Sequence, residues 1–265
     1  MSQPSPTRAR SDLGVALALV GRDLRRFFRQ PSRVVGSLAQ PLLLWLVLGA
    51  GMGGSFRAPG AEGARYLQYF YPGTLVLILL FTAIFSEISI IEDRREGFLQ
   101  GVLVAPVPRT AVVLGKVMGG ATLAMLQCIP FLALAPVAGL GVPQLGSLAR
   151  LAVVLFLLAV ALTALAAAIA WRLDSSQGFH AIMNLFLIPM WLLAGTLFPL
   201  SGTRWLGALM RANPLTYGVA ALRRALVGGP LPDLPGFGAS VAVTAACAAL
   251  AFGAAVWVAS RRPAR

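Results

Sequence analysis

The chain has 265 residues, of which 58% are hydrophobic and only 12% are charged. A water-soluble domain carries about 25% charged residues, so this composition excludes an ordinary soluble domain. The formal net charge of +13 would suit a nucleic-acid-binding protein. Arginines at the ends of apolar segments are, however, typical of membrane proteins, in which they meet the lipid headgroups. We therefore predict an all-α integral membrane protein that contacts membrane lipid and does not bind nucleic acid.

The N-terminal region predicts an amphipathic helix that lies in the membrane interface. At about 100° per residue, apolar side chains between positions 13 and 29 fall within one arc and arginines fall on the opposite side. The apolar residues are Leu13, Leu17, Val20, Leu24, Phe27 and Phe28, and the arginines are Arg22, Arg25, Arg26 and Arg29. Basic amphipathic helices of this kind bind at bilayer surfaces. We assign residues 1–33 to a cytoplasmic N-terminal segment and 34–265 to a transmembrane domain.

Six apolar segments follow, each close to the roughly 20 residues that cross a bilayer core. They lie at 34–53, 70–91, 111–138, 148–171, 179–199 and 237–259. The third contains Pro130 and Pro136, which predict a kink or a break near its far end. An even number of spans places both termini on one side of the membrane. Most of the 22 basic residues fall on that side, which favours cytoplasmic termini under the positive-inside rule.

A charged segment separates the second and third spans. It begins with Glu92, Asp93, Arg94, Arg95, Glu96 and Gly97. Phe98, Leu99, Val102 and Leu103 then occupy one face of a predicted short helix, which Pro106 and Pro108 prevent from continuing. The acidic residues lie at its N-terminal end, where the helix dipole favours them. Such a helix is suited either to docking in the groove of a partner or to lying on the bilayer.

The segment between the fifth and sixth spans predicts a short helical hairpin. Trp205, Leu206, Leu209 and Met210 form one apolar face. Asn213 then has the character of an N-cap, with Pro214 at the first position of a second helix. Gly228 and Gly229 would end that helix. The alternatives are helices that dip into the outer leaflet and a hairpin that lies on the surface.

The sequence lacks the motifs of a self-sufficient catalyst. Gly115 and Lys116 precede Val117 without the upstream glycine of a phosphate-binding loop. Neither a Gly-x-Ser-x-Gly elbow nor a His-Glu-x-x-His helix occurs. His180 is the sole histidine, and Cys128 and Cys247 lie in apolar segments without the spacing of metal ligands. We predict that this chain alone is not an enzyme and holds neither a metal nor a cofactor.

Three segments together resemble the permeases of the ABC-2 type, which are membrane subunits of ATP-binding-cassette exporters and include the daunorubicin-resistance and nodulation-export groups. The first is Arg22-Asp23-Leu24 with Pro31 ahead of the first span. The second runs from Glu92 to Gln100 and continues through Val104-Ala105-Pro106-Val107-Pro108-Arg109 and Gly115-Lys116. The third is Asn213-Pro214-Leu215-Thr216-Tyr217 with Leu222-Arg223. Gln100 departs from the acidic residue expected at its position.

The resemblance implies a homodimer of permeases that engages a separate ATPase subunit, where ATP and Mg are bound. The short helix would be the coupling helix, flanked by the N-terminal helix. The implied coupling interface consists of Arg94, Arg95, Glu96, Gly97, Phe98, Leu99, Val102, Leu103 and Pro106. ATP-driven movement of the ATPase would then rock the spans and open a pathway at the dimer interface.

A polar and aromatic stripe on the fifth span is a candidate for the substrate pathway. His180, Asn184, Leu187 and Trp191 recur at helical spacing, and such stripes face a bundle interior or a pathway. The resemblance adds Phe81 and Phe85 of the second span, because that family lines its conduit with these two spans. Ordinary helix packing is the alternative reading of the stripe. Glu87, close to the end of the second span, reads as an interfacial residue rather than a proton relay.

The sequence and the resemblance together predict the permease of an exporter in a bacterial plasma or inner membrane. Its expected substrate is amphipathic or hydrophobic, such as a drug, a lipid or a glycolipid, with a polysaccharide as the alternative. An ion-gradient-driven transporter and a membrane scaffold are rival readings. The first would want several ionisable residues near the middle of the bilayer. The second would leave the stripe on the fifth span without a purpose.

Overall fold

The computed structural model of the protein describes residues 6–52, 66–104, 107–141, 145–197, 203–227 and 234–261. Every regular element within these ranges is helical. The helices are α1 (Pro6–Phe28), α2 (Pro31–Met52), α3 (Tyr66–Arg95), α4 (Phe98–Val104), α5 (Arg109–Leu132), α6 (Leu145–Ala170), α7 (Ser176–Trp191), α8 (Arg204–Ala212), α9 (Pro214–Val227) and α10 (Phe237–Arg261). A π-helical turn, Leu192–Thr196, follows α7 directly. The predicted all-α class is confirmed.

Six of these elements are long and apolar enough to cross a membrane, as the sequence predicts. They are α2, α3, α5, α6, α7 with its π turn, and α10. The largest difference between the predicted and the observed spans concerns the third one. Helix α5 ends at Leu132, and the chain continues as turns through Gly139. Pro130 lies inside the last turn of α5. The break that the prolines predict therefore occurs near the expected place.

Helix α3 is the central element of the bundle. Of its most hydrophobic stretch, 94% is buried within the chain, against 22% for both α2 and α10. Its 30 residues correspond to about 45 Å of helix, whereas a bilayer core is about 30 Å thick. The ionisable side chains Glu87, Glu92, Asp93, Arg94 and Arg95 all lie in the last third of α3. The polar end of the central helix therefore extends beyond the length that the hydrocarbon core requires.

Helix α1 packs along α5, where glycines allow the two backbones to approach closely. A Cβ atom at Gly115 would lie 2.9 Å from Leu19 Cβ and 3.0 Å from the carbonyl oxygen of Ala16. Small residues at a helix interface permit such contacts in membrane proteins. The predicted helix is present, but its buried side chains come from a neighbouring arc that includes Ala16, Leu19, Asp23 and Phe27. Leu13, Leu17 and Phe28 of the predicted apolar face remain exposed.

The predicted hairpin consists of α8 and α9, joined at Asn213. The Oδ1 atom of Asn213 accepts a hydrogen bond from the Leu215 backbone N–H at 3.0 Å, which is the N-cap contact expected from the sequence. Thr216 Oγ1 donates to the Met210 carbonyl oxygen at 2.6 Å and so ties the two helices together. Met210 is buried, whereas Trp205 is 70% exposed. The expected end at Gly228 and Gly229 lies outside the described residues.

Candidate functional site

A cluster of buried charged side chains joins α1, α3 and α5 at the polar end of the bundle. We call it the buried charge cluster, and its members are Arg22, Asp23, Arg26, Asp93 and Lys116. The Asp93 carboxylate has no exposed surface. It accepts hydrogen bonds from Arg22 Nη2 at 2.7 Å, Arg26 Nη1 at 2.6 Å and Lys116 Nζ at 2.5 Å. One carboxylate on α3 therefore holds cations from two other helices.

Lys116 completes the connection between the three helices. Its ammonium group lies 3.0 Å from Asp23 Oδ2 and donates to Ser89 Oγ at 3.2 Å. All three of its hydrogen-bond donors thus have acceptors, as the burial of an ammonium group requires. Ser89 and Asp93 lie four residues apart, so both project from the same face of α3.

A partly exposed ring of ion pairs surrounds the buried charge cluster. Glu92 pairs with Arg26 at 3.1 Å and with Arg33 at the start of α2. Glu96 also pairs with Arg26 at 3.1 Å, although its side chain is 58% exposed. Arg33 Nη1 additionally donates to the Phe85 carbonyl oxygen at 3.4 Å. These contacts tie the α1–α2 junction to the polar end of α3.

Two groups of the cluster lie outside the membrane-spanning helices and have shifted pKa values. Burial raises the pKa of the Asp23 carboxyl, because a charged group is poorly solvated there, and the attraction of Lys116 opposes this shift only in part. The hydrogen bond to Asp93 raises the pKa of the Arg22 guanidinium. Arg22 therefore stays charged, whereas burial makes the ionised form of Asp23 less favourable.

The short helix α4 is attached directly to this cluster. Gly97 adopts a left-handed backbone conformation, with φ 77°, between the end of α3 and the start of α4. The guanidinium carbon of Arg22 lies 3.7 Å from the centre of the Phe98 ring, which is a cation–π contact. Leu99 is buried and Val102 packs against the core, so α4 is anchored along one side. Gly101 lies on the exposed side.

The residues predicted for docking divide into two groups. Arg94 and Arg95 bind the end of α6 and the loop after it: Arg94 Nη1 donates to Asp174 Oδ1 at 2.8 Å, and Arg95 Nη2 donates to the Asp174 carbonyl oxygen at 2.6 Å. Leu99 is likewise occupied within the chain, whereas Glu96 and Phe98 have exposed surface. Leu103 belongs to α4, but its side chain is not described. Pro106 lies outside the described residues.

Glu87 is a second buried carboxyl group on α3, six residues before Asp93. It is 1% exposed, and neither of its carboxyl oxygens has a hydrogen-bond partner in the described part of the chain. A Cβ atom at Gly120 would lie 2.7 Å from Glu87 Oε1, so only glycine leaves room for the carboxyl group. The interfacial reading of Glu87 stays a prediction, to which the structure adds that the side chain is enclosed by the bundle. An isolated buried carboxylate carries a large desolvation cost.

The residues predicted for the substrate pathway are not brought to one surface. Phe81 is buried, and Phe85 packs edge-on against His180 with ring centres 5.7 Å apart. Asn184 is exposed on the outside of the chain. Trp191 is buried, and its indole N–H donates to the Gly73 carbonyl oxygen at 2.8 Å. Helix packing therefore accounts for Trp191, whereas Asn184 is exposed on α7 and His180, with Phe85 of α3 beside it, is half-buried.

Sequence reasoning did not identify Asp23, Asp93 and Lys116 as one site. The three residues lie far apart in the chain, with Asp23 and Lys116 separated by 93 positions. The available signal was the presence of ionisable residues next to or inside apolar helices, which is costly unless they are paired. The described residues contain no group of three or more side chains suited to holding a metal ion.

Comparison with known proteins places the chain in a family context. Residues 15–227 match the family model described as ABC-2 type transporter. The chain is 30% identical over 209 residues to "Putative transport permease ycf38" of Cyanophora paradoxa, covering 77% of this chain and 71% of that protein. It is 27% identical over 203 residues to "Nodulation protein J" of Rhizobium meliloti (strain 1021), covering 75% of each. The family match covers α3, α4, α5 and the part of α1 from residue 15 onward, which are the elements that form or adjoin the buried charge cluster.

Proposed function

The chain belongs to the ABC-2 type transporter family and is a membrane transport permease, and we propose that it is the permease subunit of an ATP-driven exporter powered by a separate ATPase subunit. The observation that carries the proposal is the attachment of α4 to the buried charge cluster. Through that cluster, α4 is connected to two spanning helices and to α1 by charged contacts. A lever that receives force from a partner needs a connection of this kind.

The mechanism follows from how these contacts are arranged. A push on the exposed side of α4 is carried through the Phe98–Arg22 contact to α1 and through Gly97 to α3. Asp93 and Lys116 pass the movement from α3 to α5. Arg94 and Arg95 pass it to the α6–α7 connection. Packed elements joined in this way move as units, and the spans therefore change between discrete arrangements.

The chemistry of ATP hydrolysis belongs to the partner in this proposal. ATP and Mg bind the ATPase subunit, and no residue of the present chain takes a catalytic role. The exposed surface formed by Glu96, Phe98 and Gly101 is the docking contact. Arg94 and Arg95 act as positioning residues because they bind the end of α3 to the α6–α7 connection, and Leu99 anchors α4 by its burial.

A second copy of the chain supplies the other wall of the substrate pathway. Asn184 is a polar residue on an exposed face of a spanning helix, next to Leu185 and Phe186, which are 70% and 65% exposed. A polar amide facing lipid is unfavourable, so this face is better suited to a homodimer interface or a conduit. Phe85 and His180, which are half-buried and in contact with each other, belong to the same pathway in this proposal. The proposed substrate is amphipathic or hydrophobic, such as a drug, a lipid or a glycolipid, with a polysaccharide as the alternative.

We place the protein in a bacterial plasma or inner membrane with both termini in the cytoplasm. The test uses a Cys247→Ala background, because Cys128 is buried and Cys247 is half-buried. In that background, Gln177→Cys should be protected from a membrane-impermeant thiol reagent applied to intact cells. Gly146→Cys, at the start of α6, should be labelled. The reverse pattern would invert the orientation and place α4 outside the cell.

Coupling to an ATPase is tested with an exposed glycine of α4. A Cβ atom at Gly101 would meet nothing within 4 Å, so Gly101→Arg fits the isolated chain. The substitution should abolish co-purification of the ATPase subunit and leave membrane insertion unchanged. Gly146→Arg is the matched control, because that glycine also has open space around it and lies at the start of α6. Equal co-purification for both variants would remove α4 from the interface.

The buried carboxyl group of Glu87 favours one rival, an ion-gradient-driven transporter, because such proteins use buried ionisable side chains. The two functions are separated by reconstitution of the purified chain in vesicles without an ATPase. Accumulation of solute driven by an ion gradient alone would support the rival and contradict ATP-driven export. The exporter proposal expects transport only when the ATPase subunit and ATP are both present.

A further inference from the structure

Helix α1 carries a second charged feature, which adjoins the buried charge cluster and shares two of its arginines. An open cleft of about 550 Å³ is lined by Arg22, Arg25, Arg26, Arg29 and Gln30. Arg22 and Arg26 also bind Asp93. Arg25 and Arg29 have no acidic partner among the described residues, and Arg25 Nε donates only to the Gly21 carbonyl oxygen at 3.2 Å. The cleft therefore has a surplus of guanidinium donors, which favours an anionic ligand.

Gln30 contributes an acceptor that lacks a hydrogen-bond donor, whereas the arginines contribute donors. Its Oε1 atom is shielded from solvent and has no hydrogen-bond donor within the described part of the chain. A buried acceptor without a donor costs free energy, so a ligand that brings an O–H or N–H group would satisfy it. The cleft thus combines donors for an anion with an acceptor for a hydroxyl or an ammonium group.

The exposed apolar residues of α1 indicate where such a ligand comes from. Leu13, Leu17 and Phe28 are 57%, 61% and 51% exposed, and they occupy the arc of α1 between its packed face and Arg25. An apolar arc beside an arginine arc is the pattern of a helix at the boundary between acyl chains and headgroups. At that depth the abundant anion is the phosphate of a lipid rather than a solute.

We propose that this cleft binds the headgroup of an anionic phospholipid that carries a hydroxyl donor, of which phosphatidylglycerol is the simplest example. Arg25 and Arg29 bind the phosphate oxygens, and the Gln30 side chain turns towards the cleft so that a headgroup hydroxyl donates to its Oε1 atom. Gln30 lies at the junction of α1 and α2, where its carbonyl oxygen accepts from the Arg33 N–H at 3.0 Å. A bound lipid therefore fixes the junction next to the buried charge cluster. This proposal holds whether or not the chain engages an ATPase.

The test is native mass spectrometry of the full chain, purified in detergent and mixed with equal amounts of phosphatidylglycerol and phosphatidylcholine. The wild type should retain phosphatidylglycerol preferentially. Arg25→Gln with Arg29→Gln should weaken its binding about a hundredfold, which corresponds to the loss of two charge-assisted contacts at about tenfold each. Arg25→Lys with Arg29→Lys should weaken it less, because the charge remains. Arg150→Gln with Arg204→Gln is the matched control, since both arginines are exposed on other helices.

A second probe addresses Gln30. Phosphatidylmethanol has the same charge as phosphatidylglycerol and lacks the hydroxyl donor. The wild type should prefer phosphatidylglycerol, and Gln30→Leu should remove this preference while the charge-dependent binding remains. Equal binding of the two lipids by the wild type would overturn the role of Gln30.

Three other results would overturn the site itself. Unchanged phosphatidylglycerol retention in the Arg25→Gln, Arg29→Gln variant would show that the lipid binds elsewhere. Displacement of the lipid by inorganic phosphate would show that the cleft binds a soluble anion rather than a lipid headgroup. Loss of a co-purifying ATPase with lipid retention unchanged would assign the arginines to a protein partner. Monodisperse elution of each variant on gel filtration excludes misfolding as the cause.

Discussion

The two ends of the bundle are held together by different kinds of contact. At the charged end, formed by α1, α4 and the polar parts of α3 and α5, charged side chains from different helices bind one another. At the hairpin end, formed by the π turn, α8, α9 and the start of α3, polar side chains bind backbone carbonyl groups. Asp93 serves three cations at the first end. The Gly195 carbonyl oxygen accepts from both Tyr69 and Arg223 at the second.

The hairpin end is organised around an irregular piece of backbone. Gly195 has φ 74° within the π turn, which leaves carbonyl groups without helical partners. Trp191 Nε1 binds the Gly73 carbonyl oxygen, Asn213 Nδ2 binds that of Met190 at 2.6 Å, and Arg223 stacks 4.0 Å from the Tyr69 ring centre. Trp191 and Asn213 each bind a different carbonyl group, and the Gly195 carbonyl oxygen is shared by two donors. The loss of one contact should leave most of the others in place.

The difference predicts unequal sensitivity to substitution. In the buried charge cluster several charges share one carboxylate, because Asp93 binds Arg22, Arg26 and Lys116, and its removal weakens all three attachments at once. At the hairpin end, each substitution removes the contact to one backbone carbonyl group or one ring at a time. The charged end is therefore suited to transmitting movement as a unit, and the hairpin end to stabilising a bend in the chain.

The largest effect is expected for Asp93→Asn. The substitution leaves Arg22, Arg26 and Lys116 without their common carboxylate, and breaking a buried pair in this way costs about 3 to 5 kcal/mol. We expect a large drop in the thermal unfolding temperature of the detergent-purified chain, or the loss of folded protein. Fluorescence-detected gel filtration over a temperature series provides the measurement.

Asp174→Asn is the matched control for this substitution. Its carboxylate also pairs with an arginine, Arg94, but its side chain is 76% exposed. Exposed ion pairs contribute about 0 to 1 kcal/mol, so the control should unfold close to the wild-type temperature. Similar losses for both variants would mean that burial of the cluster does not matter.

A smaller effect is expected for Trp191→Phe at the hairpin end. Phenylalanine keeps most of the aromatic packing against Phe70, whose ring centre lies 5.9 Å away, but removes the donor to the Gly73 carbonyl oxygen. The Gly73 carbonyl oxygen keeps its helical donor within α3, so the change removes one extra hydrogen bond, worth about 0.5 to 1.5 kcal/mol. The unfolding temperature should fall by less than in Asp93→Asn, and Trp205→Phe, at an exposed position, should change nothing. A loss as large as that of Asp93→Asn would remove the contrast between the two ends.

These two ends also differ in how far the sequence predicts them. The N-cap at Asn213 followed from local residue types, because a cap depends on neighbours two or three positions away. The six spans followed from apolar length. The contacts of Asp93 and Lys116 did not follow, since helical periodicity says which face a residue occupies and not which helix it meets. Trp191 shows the same limit, because its stripe did not reveal that Gly73 would be its partner.

Glu87 offers a test in which the sign of the effect is diagnostic. Because its carboxyl oxygens have no partner in the described residues, Glu87→Gln should relieve a desolvation cost and stabilise the chain by about 1 kcal/mol. Glu92→Gln, on the same helix, removes pairs with Arg26 and Arg33 and should destabilise it. Thermal unfolding of the two variants in parallel gives the comparison. A lower unfolding temperature for Glu87→Gln than for the wild type would indicate that the carboxylate does have a partner in solution.

The smallest effect concerns the pH dependence that Asp23 contributes. Burial raises the pKa of its carboxyl in the folded chain above the ordinary value of 3.8, so between these two values the folded state holds a proton that the unfolded state has lost. The free energy of unfolding therefore decreases as pH rises through that window, by the contribution of this one group. Asp23→Asn keeps an oxygen acceptor for Lys116 and removes the titration. The stability of the wild type relative to this variant should fall as pH rises from about 4 towards neutral, in thermal unfolding measured at a series of pH values. Parallel curves would mean that Asp23 is solvated in the folded chain, and that the charged end is less tightly closed around α1 than its contacts indicate.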